Sequence, residues 1–253
     1  MKKLKKRKSD RVKITTILCD VGDTLHNMKS YTSIAWKISI EKLVDQGVPI
    51  ADVTRTLENQ RLFERIITEC DEPHADRYFL EESFFQEFFK QIHVEVDFWQ
   101  LNSALITYRD ILRSLLKPSP VVISTLSVLK GKGYKMGVVT DGSRKSAHEI
   151  LHRLGITQFF DAIVISEDVG VEKPDPKIFQ KALIRLDSKP SQSIMVGDSI
   201  ERDINGAKKL GMVTVLMQGY LPRKEEREHE TEIEPDYKIQ RFDELLGILK
   251  RMH

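Results

Sequence analysis

The chain has 253 residues, enough for one large domain or two unequal ones. Its 40 Lys+Arg against 38 Asp+Glu, net charge of +2 and 40% hydrophobic content are those of a soluble globular protein and exclude a disordered one. No apolar run approaches the roughly 18 residues of a membrane-spanning helix, and two cysteines, Cys19 and Cys70, exclude a disulfide framework and suit a reducing, cytoplasmic setting.

Residues 1–13 carry six Lys and two Arg against one Asp, a net +7, which leaves −5 for the other 240 residues. This reads as a solvated basic tail on a mildly acidic body. Only the short run Ile14–Cys19 follows it, too brief for a signal peptide. That run is β-branched and apolar, and it breaks into Asp-Val-Gly-Asp-Thr, as a buried strand followed by a turn does. Residues 28–117 change character. Helical periodicity predicts helices over Ser30–Gln46, Ile50–Cys70, Tyr78–Ile92 and Asp97–Leu116, punctuated by Gly47-Val48-Pro49 and Asp71-Glu72-Pro73. The stripe Phe79, Phe84, Phe85, Phe88, Phe89, with Phe98 and Trp99 after it, reads as the core of this helical block.

Lys117-Pro118-Ser119-Pro120 marks a boundary, after which strands and helices alternate. Strands are predicted at Tyr134–Thr140, Ala162–Ser166, Ser193–Gly197, Val213–Met217 and Tyr237–Ile239. Helices are predicted at Ser124–Lys130, Ser143–Leu154, Pro176–Leu186, Ile200–Leu210 and Phe242–Met252. Arg223–Glu234 is a charged surface loop. Near-continuous apolar strands in repeated β-α units imply an α/β fold, a Rossmann-like parallel sheet core with helices on both faces. The domain plan is a tail at 1–13, a core at 14–27 and 118–253, and an inserted all-helical cap at 28–117.

Ligands of such sheets lie at the carboxyl ends of the strands. There this sequence places Asp20, Asp23 and Thr24; Thr140, Asp141 and Gly142; Glu167, Asp168 and Lys173; and Asp198, Ser199 and Asp203. Clustered carboxylates repel one another and call for a cation, and an all-oxygen donor set suits Mg²⁺. A hard cation, a lysine and a hydroxyl together suit a phosphoryl group.

Asp20…Thr24, Thr140, Lys173 and Gly197-Asp198-Ser199…Asp203 stand in the order and context of the four motifs of the haloacid dehalogenase superfamily. The chain resembles that superfamily from about Ile14 to Leu249, and the helical block resembles its type-one cap. The resemblance implies an aspartyl-phosphate on Asp20, and Mg²⁺ held by Asp20, Asp198 and the carbonyl of Gly22. Asp203 would hold a metal-bound water or support Lys173. Thr140 and the amides of Asp141 and Gly142 would hold phosphoryl oxygens, and Lys173 would neutralise charge. The implied activity is a phosphatase acting on a small phosphorylated metabolite, with no nucleic acid or membrane partner and the oligomeric state open.

One position departs from the pattern. The superfamily's phosphatases carry an acid two residues after the nucleophile, where this chain has Gly22. Asp23 is then either the displaced general acid or a local cap of the turn, and His26 is a further candidate donor. The departure leaves two alternatives, a metal-free 2-haloacid dehalogenase and a non-catalytic phosphate-binding module. Cys19 reads as an apolar filler, and Arg144 and Lys145 as ordinary residues of a helix start.

Overall fold

In a computed structural model, residues 13–50, 61–66, 82–219 and 233–252 are described. The chain enters through strand β1, Thr16–Cys19, all four residues of which are buried. Helix α1, Met28–Asp45, follows. Its cap is Asn27, whose side chain accepts the Ser30 amide, and the helix begins at Met28, two residues earlier than periodicity predicts. Residues 61–66 are helical. Helices α2, Glu82–Gln91, and α3, Phe98–Leu115, complete the described insertion. Asp97 and Gln100 close a reciprocal capping box at the head of α3. Trp36, Phe63, Phe85, Phe88 and Tyr108 interlock as its aromatic core. Phe98 and Trp99, predicted in that core, are 60% and 76% exposed instead. They occupy the first turn after the Asp97 cap, ahead of the face that buries Leu101, Ala104, Leu105 and Tyr108. Phe79 and Cys70 lie outside the described residues, as do residues 1–12, 51–60, 67–81 and 220–232, with most of the charged loop.

The core continues with α4, Pro120–Gly131, then β2, Lys135–Thr140, and α5, Arg144–Arg153. Next come β3, Ala162–Ile165, the short α6, Ser166–Val169, and α7, Pro176–Arg185. The last part holds β4, Ser193–Gly197, β5, Val213–Met217, β6, Tyr237–Ile239, and α9, Glu244–Met252. The helix predicted over Ile200–Leu210 is not continuous. A π turn spans Ile200–Asn205 before α8, Gly206–Lys209. The Ser199 carbonyl accepts both the Asp203 and Ile204 amides, which widens the turn.

All strand pairs are parallel, in the order β3-β2-β1-β4-β5-β6. The strands bury both faces. Ile17, Met136 and Val138 enter one core with α4, α5 and α9, while Leu18, Val139 and Met195 enter a second with α7 and α8. The winding reverses between β1 and β4, so the crevice of the sheet opens beyond Cys19 and Gly197. No helix among the described residues is long and apolar enough to cross a membrane.

Candidate active site

β1 and β4 run in register, Cys19 beside Val196, and the Asp20 amide donates to the Val196 carbonyl at 2.9 Å. One further step on each strand brings Asp20 and Asp198 to the crevice. Gly197 lets Asp203 fold back against the strand, because a Cβ there would stand 2.5 Å from the Asp203 Cβ. Asp20, Asp198 and Asp203 thus each offer a carboxylate oxygen within 4.8 Å of the others, and all three are buried. This donor set is hard, anionic and all-oxygen, which fits Mg²⁺.

Lys173 reaches the same point from the loop after α6. Its Nζ donates to Asp20 Oδ1 at 2.5 Å and to Asp203 Oδ1 at 2.7 Å, and its backbone amide donates to Asp141 Oδ1 at 2.9 Å. Burial works against the Lys173 charge, but Asp20, Asp203 and Asp141 overcome it and hold the ammonium above its ordinary range. Burial likewise pushes the Asp20 carboxyl up to about 6, with Lys173 pulling it down and Asp203 pushing it up. Asp203 Oδ2 accepts the Ser199 amide at 3.0 Å, so both of its oxygens have protein partners. Of its two expected roles, the observed contact is the support of Lys173. Thr24 Oγ1 lies 3.5 Å from Asp20 Oδ2.

Thr140 ends β2 and is buried, and its hydroxyl donates to the Asp141 carbonyl at 3.4 Å. Gly142 has a φ of +113°, and its amide donates to Ser166 Oγ at 2.9 Å. Ser166 closes the predicted third strand one residue early and opens α6. Arg144 pairs with Glu167 through its amide and with Asp168 through its guanidinium, which is an ordinary helix-start contact.

The turn after Asp20 also differs. Asp23, not Gly22, adopts the left-handed conformation, at φ 50°, which Asp tolerates better than most side chains. Asp23 Oδ1 accepts the Lys29 amide at 2.9 Å in the first turn of α1. The structure therefore gives Asp23 the capping contact and ties the turn after Asp20 to the helical insertion. Gly22 pairs with His26 in an isolated bridge. His26 is buried, and burial pushes its imidazole down to about 3. Cys19 is fully buried, and burial and the neighbouring Asp20 push its thiol up, away from the reactive thiolate.

Two residues at this edge were not singled out from the sequence. Ser166 could have been found as a hydroxyl at a strand end. Arg202 could have been found as the cation lying between Asp198 and Asp203; its guanidinium stands 3.7 Å from Asp141 Oδ2.

A doubly wound α/β sheet with an aspartate, a lysine and two further carboxylates at its switch point defines the class as a hydrolase fold with a phosphoryl-type site. The chain belongs to the haloacid dehalogenase-like hydrolase family, whose model matches residues 61–217. It is 34% identical to a glyceraldehyde 3-phosphate phosphatase of Methanopyrus kandleri, over 94% of this chain and 98% of that protein. It is 35% identical to the same-named protein of Methanothermobacter thermautotrophicus, over 85% of this chain and 90% of that one. Among solved structures, magnesium-bound YfnB from Bacillus subtilis superposes with a TM-score of 0.72 at 23% identity, covering 94% of this chain and 99% of that one. A HAD phosphatase from Thermococcus onnurineus superposes at 0.62 and 24%, covering 93% and 98%. At these identities the solved structures show the shared fold.

Proposed function

We propose that the protein is a Mg²⁺-dependent phosphatase of a small phosphorylated metabolite, working through a phosphoryl group carried on Asp20. The observation that carries this reading is Lys173 bridging Asp20 and Asp203 within a buried group of three carboxylates. The names of the relatives, which are 34–35% identical, point to the same chemistry and make glyceraldehyde 3-phosphate the first substrate to test. Asp20, Asp198 and the Gly22 carbonyl would hold the ion, as the family resemblance implies. When bound, Mg²⁺ lets neighbouring carboxylates stay ionised together and offsets charge on phosphoryl oxygens.

Asp20 attacks phosphorus, and the bond from phosphorus to the ester oxygen breaks. The leaving oxygen keeps the electron pair and takes a proton from water. A second water then attacks the phosphoryl group, releasing inorganic phosphate and restoring Asp20. Thr140 and the Asp141 amide are assigned to the phosphoryl oxygens, and Lys173 to the charge shared with Asp20. With Asp23 engaged by Lys29 and His26 buried, no acid is assigned to the leaving group. Residues 28–117 are assigned as a cap hinged at His26-Asn27 and Lys117–Pro120, which expels water when it closes. The cysteine-poor composition supports a cytoplasmic setting.

The test is phosphate release from a panel of phosphate esters including glyceraldehyde 3-phosphate, with Mg²⁺ and after chelation. Release that depends on Mg²⁺ is expected. Metal-independent halide release from a 2-haloacid, with no phosphate released from any ester, would contradict the reading.

A further inference from the structure

The turn that follows β2 is stitched to the segment that carries Lys173. Gly142 donates its amide to Ser166 Oγ at 2.9 Å, and the Arg144 amide donates to Glu167 Oε2 at 2.6 Å. A third link runs into the site itself. Asp141 Oδ1 accepts the Lys173 amide at 2.9 Å, and this hydrogen bond is buried. Lys173 is therefore held at both ends, its amide by Asp141 and its ammonium by Asp20 and Asp203.

The bond meets two physical demands. Lys173 is buried, and a buried amide needs an acceptor. Pro174 has no N–H and the Asp175 amide donates to the Glu172 carbonyl, so the Lys173 amide is the donor by which the β2 turn grips this loop ahead of α7. A lysine side chain is also a flexible four-carbon stem, so the place of its ammonium depends on where its backbone is fixed. A misplacement of about 1 Å at a reacting centre is enough to cost about 10²-fold in rate. Thr140 and the Asp141 amide, assigned to the phosphoryl oxygens, stand on the same turn as this carboxylate. Asp141 also adds its charge to those that favour the Lys173 ammonium.

Resting on the phosphatase reading above, we infer that the Asp141 carboxylate is a positioning residue that holds the Lys173 backbone, so that the lysine and the phosphoryl-binding turn keep one fixed spacing. It acts through Lys173 and touches no reacting atom. Lys173 serves the charge shared by Asp20 and the phosphoryl group, so the effect falls mainly on kcat. The place of the acceptor oxygen matters more than the negative charge.

The test compares the full-length wild type with Asp141→Asn, Asp141→Glu and Asp141→Ala. It reads kcat and KM on nitrophenyl phosphate with Mg²⁺, and the rate of reductive methylation at Lys173 by mass spectrometry. Asn keeps an acceptor oxygen in place and loses the charge, whereas Glu keeps the charge and displaces the oxygen by one methylene. Asp141→Ala and Asp141→Glu should lower kcat by about 10- to 100-fold, the range for one hydrogen bond to a charged group, with KM within about threefold. Asp141→Asn should recover part of that loss and lie closer to wild type than either. Methylation of the buried Lys173 should be slowest in the wild type and fastest in Asp141→Ala and Asp141→Glu, while the exposed Lys145 and Lys177 react at unchanged rates. If Asp141→Ala does not fold, the comparison of Asn with Glu decides. A Glu variant closer to wild type than the Asn variant would show that charge rather than placement matters, and would overturn the inference. Lys173 methylation unchanged in every variant would overturn it as well. A wild type that releases phosphate from no ester would defeat the phosphatase reading, and the Lys173 methylation rates would still decide whether Asp141 positions the lysine.

Discussion

Asp203 packs so closely under Gly197 that a Cβ on Gly197 would stand 2.5 Å from the Cβ of Asp203. The close approach lets a carboxylate on a turn reach back to Lys173 and to the Ser199 amide. Gly197→Ala should therefore push Asp203 off Lys173. Overpacking of this kind costs about 1–3 kcal/mol, and calorimetry should show Mg²⁺ binding weakened in the same variant. A variant with unchanged melting and unchanged Mg²⁺ affinity would show that the close packing does not position Asp203.

Lys173 is the buried partner of two carboxylates. Lys173→Met removes that partner and leaves Asp20 and Asp203 uncompensated. Breaking a buried pair costs about 3–5 kcal/mol, and a bound cation should return part of it. Thermal melting with and without Mg²⁺ checks this: the variant should gain more from Mg²⁺ than the wild type does. An equal gain would mean that Lys173 and the ion do not share the same carboxylates.

Asp23 accepts the Lys29 amide and holds a left-handed φ. Asn keeps both features, so Asp23→Asn should leave turnover within about threefold on alkyl and nitrophenyl phosphates alike. A general acid would instead lose about 10²–10⁴ on the alkyl ester alone. Gly22 has no positive φ, so its backbone accepts a side chain. Gly22→Asp should raise the alkyl phosphate rate relative to the nitrophenyl rate. A selective alkyl loss in Asp23→Asn would return the acid role to Asp23.

The buried His26 titrates at about 3, below its unfolded value of about 6.5. Between these values the unfolded chain binds a proton that the folded one does not. Stability is then fully present above pH 6.5 and declines as the pH falls, by about 1.4 kcal/mol per unit from this group. Urea unfolding at pH 7 and pH 5 should show a smaller difference for His26→Gln than for wild type. Equal differences would mean that His26 is protonated in the folded protein.

Much of this architecture was readable from the residues. The runs Ile14–Cys19, Tyr134–Thr140 and Ser193–Gly197 are largely apolar because both faces of the sheet are covered, and charged residues follow each of them. Parallel strands make those ends coincide, which is why Asp20, Lys173, Asp198 and Asp203 could be placed at one edge. What could not be read depends on local direction. The Asp23 carboxylate depends on one φ angle, and the π turn accompanies the close packing of Asp203 on Gly197. Neither of these alters hydrophobic periodicity. The exposed Phe98 and Trp99 mislead for a related reason: a stripe at helical spacing shows a face, and the Asp97 cap decides where the buried face begins.

The central claim is that Asp20 carries the phosphoryl group. Its most direct measurement is the turnover of Asp20→Asn on nitrophenyl phosphate with Mg²⁺, with calorimetric unfolding as the check on the fold. Asn keeps the size of the side chain but cannot form the acyl-phosphate bond. The account predicts a folded protein whose turnover falls by about 10³-fold or more. A folded Asp20→Asn variant retaining turnover within about tenfold of wild type would contradict it.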